Sequence, residues 1–345
     1  MQSAQDYLKT INSFDLQFSH AFNDIFAMDI DAELGNVNDV IVSGMGGSDF
    51  GGRTALGVFG DDKLLVPLRV LNDYELPAYA DEKTLVILSS NSGSTEEVLF
   101  IEKQAIERGC KIFGITTGKD LGASIQAKKF AGYIYDPIYN YSASPRTSIG
   151  YSVGATIGLL SKLKLLNFTK EEADQTAAYM KSFTQQLEAD DSMQKKLSEM
   201  LVDGIPVIIS ADHLRSATFI WRNFMNETAK HTGFVMEIPN LNHHFLEGFA
   251  YPKTQKDSFL LIYVNSPLFN DRVKTRFNVT RGVTQKFEIP DFLIETKGTN
   301  KFNDFWEIVI IGGLVSYNLS QIHGVNPATN ELVDFLKQSL GKPNL

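Results

Sequence analysis

Short apolar runs alternate along this chain with longer segments whose apolar residues recur every three or four positions. Asp39-Val40-Ile41-Val42-Ser43, Val66–Leu71, Thr84–Ser89, Lys111–Thr116 and Gly132–Asp136 have the length and density of strands. After the third of them, Val98, Ile101, Ala105 and Ile106 keep the spacing of an amphipathic helix. Such alternation predicts an α/β unit built on a mostly parallel sheet. Ahead of it, residues 3–28 carry Tyr7, Leu8, Ile11, Phe14, Phe18, Phe22 and Phe26 at helical spacing. That aromatic stripe suits core packing or a subunit contact. Ile149–Leu166 predicts an apolar helix, and 169–200 a polar helical stretch. A second α/β pattern then starts at Ile205–Ser210. It continues with a helix from about Leu214 to Lys230, a strand at Ser258–Val264, a helix near Leu268–Val279 and a strand near Lys286–Ile289. Helices near Asn303–Ile322 and Thr329–Leu340 close the chain. The organisation expected is a helical segment over 1–35, a first α/β domain over 36–165, a helical connector over 166–200, and a second α/β domain with a C-terminal helix over 201–345.

Two turns interrupt this pattern with chemistry. The first strand runs into Gly44-Met45-Gly46-Gly47-Ser48-Asp49-Phe50-Gly51-Gly52, five glycines in nine residues, which lets a ligand approach the backbone closely. Gly44-x-Gly46 is similar to the start of a dinucleotide fingerprint, but the third glycine is misplaced and no acidic partner follows a second strand. The run Thr84–Leu88 leads into Ser89-Ser90-Asn91-Ser92-Gly93-Ser94-Thr95-Glu96-Glu97. A strand, a tight turn and a helix start aim backbone N–H groups and the positive end of the helix dipole at one spot. Ser90, Ser92, Ser94 and Thr95 add short uncharged donors, so the turn suits a phosphate monoester. Ser94-x-x-Glu97 also reads as a capping box. In parallel sheets ligands bind beyond the carboxyl ends of the strands, where both turns lie.

Other candidates come later. Arg146, just before the apolar helix, is either a surface charge or an anion clamp. Glu227 ends a helix, and His243 follows a proline-led turn. A carboxylate and an imidazole so spaced form an acid–base pair if the chain folds back between them; otherwise Glu227 is a helix-face charge and His243 a hydrogen-bonded core residue. His243 and His244 are adjacent, and no cysteine partner or H-E-x-x-H pattern accompanies them, so no metal site is expected.

The net charge of −9 argues against a general binder of nucleic acid or anionic membranes, so a phosphate ligand needs local donors. A hydrophobic content of 43% with 21% charged residues is ordinary for a globular protein with a good core, in one large or two medium domains. The single cysteine, Cys110, precludes an intramolecular disulfide and suits a reducing cytosol. No basic segment followed by an apolar core opens the chain, and no apolar run approaches the roughly 20 residues of a membrane span.

In order along the chain stand Gly44-Met45-Gly46-Gly47-Ser48, Ser90-Asn91-Ser92-Gly93-Ser94-Thr95, Pro145-Arg146, Asn226-Glu227-Thr228-Ala229-Lys230 and Pro239-x-x-Asn242-His243. Together they resemble the bifunctional phosphoglucose/phosphomannose isomerase family, over about residues 38 to 340. The resemblance implies two sugar-isomerase (SIS) domains, each an α-β-α sandwich. It implies phosphate binding at Ser48, Ser90, Ser92 and Thr95, with Gly46 and Gly47 close to the sugar. Arg146 matches the arginine that stabilises the enediolate, and Glu227 the base that moves the proton between C1 and C2. His243 matches the histidine that assists ring opening from the neighbouring subunit, and Lys337 the lysine that serves the same step. Thr329 matches the small residue that gives room for two aldose epimers. Here Pro239-Asn240-Leu241-Asn242-His243-His244 stands where the family reads Pro-Glu-x-Asn-His-Asn, which leaves His243 and His244 both open as the histidine. Ser94 replaces the family's usual asparagine. The implied function is interconversion of glucose 6-phosphate and/or mannose 6-phosphate with fructose 6-phosphate through a cis-enediolate, by a cytoplasmic homodimer whose active site is shared between subunits. No cofactor, metal, nucleic acid or membrane is expected. The alternatives are an SIS-domain phosphosugar-binding regulator and an aminosugar-phosphate isomerase or lyase.

Overall fold

The structure, a computed structural model, describes residues 3–60 and 62–341. It divides into two compact units, one formed by Met1–Ala178 with Asn330–Leu345 and the other by Tyr179–Thr329.

The first unit opens with α1 (Ala4–Ile11) and α2 (Phe14–Ala27). The aromatic stripe therefore spans two helices rather than one. The break comes at Asn12-Ser13, where the Asn12 and Ser13 N–H groups close on Leu8 and Thr10 and the Ser13 hydroxyl donates to the Lys9 carbonyl. Next come β1 (Asp39–Ser43), α3 (Phe50–Phe59), β2 (Leu68–Leu71), β3 (Thr84–Ser90), α4 (Glu96–Glu107), β4 (Lys111–Thr116), α5 (Lys119–Gln126), β5 (Ala131–Ile134) and α6 (Ile149–Lys162). All five strands are parallel, in the order β2-β1-β3-β4-β5. β3 is buried along its whole length, as its unbroken apolar run requires.

Register puts Ile41, Val86 and Ile112 side by side, and they pack with Val98, Ile101 and Ala105 of α4. On the alternate positions Val42, Ile87 and Phe113 line up, and Gly52 of α3 lies so close to Val42 that a Cβ there would be 2.8 Å from it. Both faces of the sheet are thus covered by helices. α2 and α6 approach along Gly150, Gly154 and Gly158; a Cβ at Gly150 or Gly154 would strike the backbone of Phe14 or Phe18, and one at Gly158 would press on Ile25.

α7 (Lys170–Ala189) carries the chain into the second unit. There follow α8 (Ser192–Met200), β6 (Ile205–Ala211), α9 (Arg215–Thr228), β7 (Phe234–Ile238), the one-turn helices α10 (Phe245–Gly248) and α11 (Gln255–Ser258), β8 (Phe259–Asn265), α12 (Asp271–Gln285), β9 (Asp291–Glu295) and α13 (Lys301–Ile322). The sheet is again parallel, ordered β7-β6-β8-β9. The first three strands of each unit share one order: the opening strand lies between the second and the third.

Two readings of this half change. The strand expected near Lys286–Ile289 is instead the close of α12, where the N–H groups of Lys286, Phe287 and Glu288 bond back to Val283, Thr284 and Gln285; the strand starts at Asp291, past Pro290. No strand was expected at β7. Both strands are edges and half exposed, and each has only three apolar residues in a row. α13 is long and apolar enough to cross a membrane by length and composition, although no such run was expected; 78% of its apolar window is buried within the protein. Its Gly312 lies against the Trp221 ring of α9. α14 (Glu331–Leu340) ends the described chain and falls in the first unit.

Candidate functional site

In the first sheet, β1 lies between β2 and β3, so successive connections leave β1 in opposite directions. That reversal opens a crevice at the carboxyl ends of β1 and β3, the place where open α/β sheets hold ligands. The glycine turn leaves β1 there and the serine turn leaves β3 there.

The glycine turn forms a 3₁₀ turn over Gly46–Asp49, entered by Gly46 at φ +55°. Gly47 packs on the Arg146 turn: a Cβ would sit 2.8 Å from the Pro145 carbonyl oxygen and 2.9 Å from Arg146 Cα. The Asn72 amide, just past β2, anchors the turn by donating to the Gly44 carbonyl at 2.6 Å and the Asp49 carboxylate at 2.8 Å. Asp49 also pairs with Arg53 at 2.8 Å, which neutralises its charge beside the crevice.

The two turns are tied together. The Asn91 backbone N–H donates to Ser48 Oγ at 3.0 Å. Ser90 and Thr95 share a hydroxyl–hydroxyl bond of 2.7 Å, and the Gly93 N–H donates to Ser90 Oγ at 3.0 Å. Gly93 adopts φ +73°, and a Cβ on it would lie 1.8 Å from the Gly118 carbonyl oxygen, so the tip of the loop admits only glycine. Helix α4 starts at Glu96 with Thr95 as its cap, and no side chain caps it. The capping-box reading of Ser94 and Glu97 is therefore not what the loop does. Its first N–H groups and the dipole behind them stay available to an anion.

Arg146 is buried, 1% exposed. Its Nε donates to the Tyr7 hydroxyl at 3.2 Å and an Nη to Asn330 Oδ1 at 2.9 Å. Of the two readings left open for this residue, a surface charge is excluded. The roles of Tyr7, Asn72, Asn91 and Asn330 are not visible in the sequence, because each works through a long-range hydrogen bond that no local pattern announces. Asn72 alone carried a hint, as the first residue past a strand. Lys337 lies on the last turn of α14 and is exposed.

In the second unit, Glu227 is in the last turn of α9 and partly buried. Lys230 follows at φ +55°, and its ammonium donates to the Glu227 carbonyl at 2.6 Å and to the Thr329 carbonyl. Asn226 Oδ1 accepts from the Gly233 N–H at 3.0 Å. Below this turn the His231 imidazole bonds the Gly204 carbonyl at 2.9 Å and His323 bonds the Ala229 carbonyl at 3.0 Å, with the two rings 5.3 Å apart. Burial, first, and then His323 hold the His231 pKa below the ordinary imidazole value, against the opposing Gly204 bond.

His243 and His244 are exposed, in the 3₁₀ turn after β7. Asn242 beside them is fixed by Thr280 at 2.7 Å and Arg276 at 3.3 Å. The structure does not bring Glu227 and His243 of one unit together. α9 is the crossover between the parallel strands β6 and β7, so it ends at the edge where β7 starts, whereas His243 follows the other end of β7.

The crevice between β6 and β8 corresponds to the one in the first unit, but it is filled from inside. His213 Nε2 lies 3.1 Å from Asp304 Oδ2, and the Ser266 hydroxyl donates to the same oxygen at 2.5 Å; all three side chains are buried. Among the described residues, no three His, Cys, Asp or Glu side chains gather in a way that would hold a metal ion.

Residues 190–340 match the family described as the bacterial phospho-glucose isomerase C-terminal SIS domain. The chain is related to the SIS-domain phosphosugar isomerases. Among its relatives, the bifunctional phosphoglucose/phosphomannose isomerase of Caldicellulosiruptor bescii is 28% identical over 91% of this chain and 92% of its own length. That of Thermoplasma acidophilum is 26% identical over 89% and 91%. The fold is shared with the crystal structure of tagatose-6-phosphate ketose/aldose isomerase from Escherichia coli, with a TM-score of 0.71 and 13% identity, covering 96% of this chain and 98% of that one.

Proposed function

We propose that the protein is an aldose–ketose isomerase that interconverts glucose 6-phosphate and/or mannose 6-phosphate with fructose 6-phosphate through a cis-enediolate. One observation carries the reading: at the crevice of the first sheet, a hydroxyl-rich turn with an uncapped helix behind it is bonded to a glycine turn that packs on a buried arginine. The relatives are phosphoglucose/phosphomannose isomerases by name, which supports a hexose phosphate as the substrate class.

On this reading Ser48, Ser90, Ser92 and Thr95 hold the phosphate, and Gly46 and Gly47 let the sugar approach the backbone. Anchoring the phosphate positions C1 and C2, which converts part of the binding energy into orientation. His243 of a second copy, or His244 beside it, and Lys337 open the ring. The Glu227 carboxylate then takes the proton from C2 of the aldose. The C–H electron pair forms the C1–C2 double bond as the carbonyl pair moves onto O1, and Arg146 offsets the negative charge of the resulting enediolate. The O2 hydroxyl proton passes to O1, and returning the carbon-bound proton to C1 as O2 becomes the carbonyl oxygen gives the ketose. The intermediate is planar at C2, so reprotonation on either face gives either aldose, and Thr329 is the residue assigned to give room for both. No redox equivalent enters or leaves. The reading carries a cytoplasmic homodimer with it.

The test is NMR of fructose 6-phosphate with purified protein in EDTA, alongside Glu227→Gln. Wild type should produce aldose 6-phosphate and take up solvent deuterium at C1 or C2. The variant should lose turnover by about 10²-fold or more, the scale of general-base catalysis, and still bind the sugar phosphate. Binding without isomerisation in wild type would refute the enzyme and favour a phosphosugar-responsive regulator. Normal deuterium exchange in Glu227→Gln would reject that residue as the base.

A further inference from the structure

Tyr135, one residue beyond β5, is 6% exposed. Its ring is stacked against two others, 5.4 Å from Tyr133 and 4.9 Å from Tyr151. Its hydroxyl reaches the serine turn, where it donates to Asn91 Oδ1 at 2.9 Å. Burial, with Tyr151 second, pushes that hydroxyl above its ordinary titration range, so it stays a donor.

Asn91 stands where the crevice begins. Its N–H holds Ser48, and its carbonyl oxygen receives the Thr117 hydroxyl at 2.7 Å. Its side-chain oxygen is occupied by Tyr135. What the side chain still offers is an NH₂ group, which can only donate. A carboxamide free to flip would present donor and acceptor faces equally; this one is set by Tyr135.

We infer that Tyr135 is a positioning residue for anion binding: its hydroxyl fixes the Asn91 amide as a donor to the bound sugar phosphate. The inference rests on the phosphosugar reading above. It adds to that reading a residue outside both motifs, and a donor that is neither a hydroxyl nor a backbone N–H.

The experiment uses Tyr135→Phe, which removes one oxygen and keeps the stacked ring. Affinities for fructose 6-phosphate and for inorganic phosphate are measured by calorimetry, KM and kcat by NMR, and folding by the thermal midpoint. Affinity for fructose 6-phosphate should fall about five- to tenfold, the scale of one neutral hydrogen bond, with KM rising in step and kcat within about twofold. Asn91→Ala should weaken binding too, and adding Tyr135→Phe to it should cost nothing more, because both act through one amide. Wild-type affinity in Tyr135→Phe, or losses that add in the double variant, would overturn the inference and leave the phosphosugar reading standing. A wild-type protein that binds neither probe would overturn both.

Discussion

Gly47→Ala tests whether the glycine turn and the Arg146 turn work as one body. A Cβ at position 47 would lie 2.8 Å from the Pro145 carbonyl oxygen and 2.9 Å from Arg146 Cα, whereas ordinary contact begins at 3.4 Å. The turns must therefore separate by about 0.6 Å, the difference between 3.4 and 2.8 Å, and neither obstructing atom is a side chain that can swing aside. Inserting a methyl group into a packed place of this kind costs about 1–3 kcal/mol. In a unit of this size each kcal/mol lowers the melting midpoint by about 2–4 °C. Stability alone does not discriminate, so Gly109→Ala serves as a control. That glycine has φ +67° with no atom within 4 Å of an added Cβ, so it suffers backbone strain only, and it lies at the far end of α4. Both variants should melt earlier. Gly47→Ala alone should also lose affinity for fructose 6-phosphate by calorimetry, because the displaced Arg146 turn strains its bonds to Tyr7 and Asn330. A Gly47→Ala protein with wild-type midpoint and affinity would refute the packing on which the argument stands.

Arg146→Lys keeps the charge but not the fork that reaches Tyr7 and Asn330, and should cost about 1.5–3 kcal/mol of stability by chemical denaturation, with turnover reduced; unchanged denaturation and turnover would refute that role. His231 has a folded pKa below its unfolded value near 6.5, so the unfolded chain binds the extra proton first. Its contribution is complete above about pH 6.5 and is lost as the pH falls from there toward the folded pKa. The melting midpoint should therefore drop between pH 7 and 5, and drop less in His231→Gln, whose amide keeps a donor for the Gly204 carbonyl; equal slopes would reject the assignment.

The central strands were the plainest in the sequence: β1, β3, β4, β6 and β8 are marked by their apolar runs. The edges β2 and β5 were expected as well, whereas β7 and β9 were not placed, because Glu237 cuts the apolar stretch of β7 to three residues and Asp291 and Glu295 bound three in β9. The serine and glycine turns were legible because position-specific backbone chemistry concentrates glycine and hydroxyl residues. Asn72, Asn91 and Tyr135 were not, since a hydrogen bond across 23 to 44 residues leaves no period in the sequence. Glu227 and His243 were legible as residue types but not as a geometry. Sixteen residues of separation say nothing of which sheet edge each reaches; the crossover direction of α9 decides that.

That direction shapes the last prediction. α9 leaves the carboxyl end of β6 and returns to the amino end of β7, and the five residues of β7 then carry the chain to the turn that holds His243. At about 3.3 Å per residue, Glu227 and His243 of one chain are separated by about 16 Å along the strand. Ring opening and proton transfer act on neighbouring atoms of one sugar, and each needs its group within about 3 Å or one water of its proton. One copy of this unit therefore cannot supply both groups to the same sugar. If both act, a site takes Glu227 from one copy and His243 from another. Glu227→Gln and His243→Ala should each be inactive alone. Co-refolded in equal amounts, half of the dimers pair one variant with the other. In such a hybrid one site carries both substitutions and the other carries none. Activity per chain should then recover to about a quarter of wild type, as two-fold symmetry requires. His244→Ala run in parallel decides between the two histidines. A mixture that stays as inactive as its components would show that His243 does not act in trans.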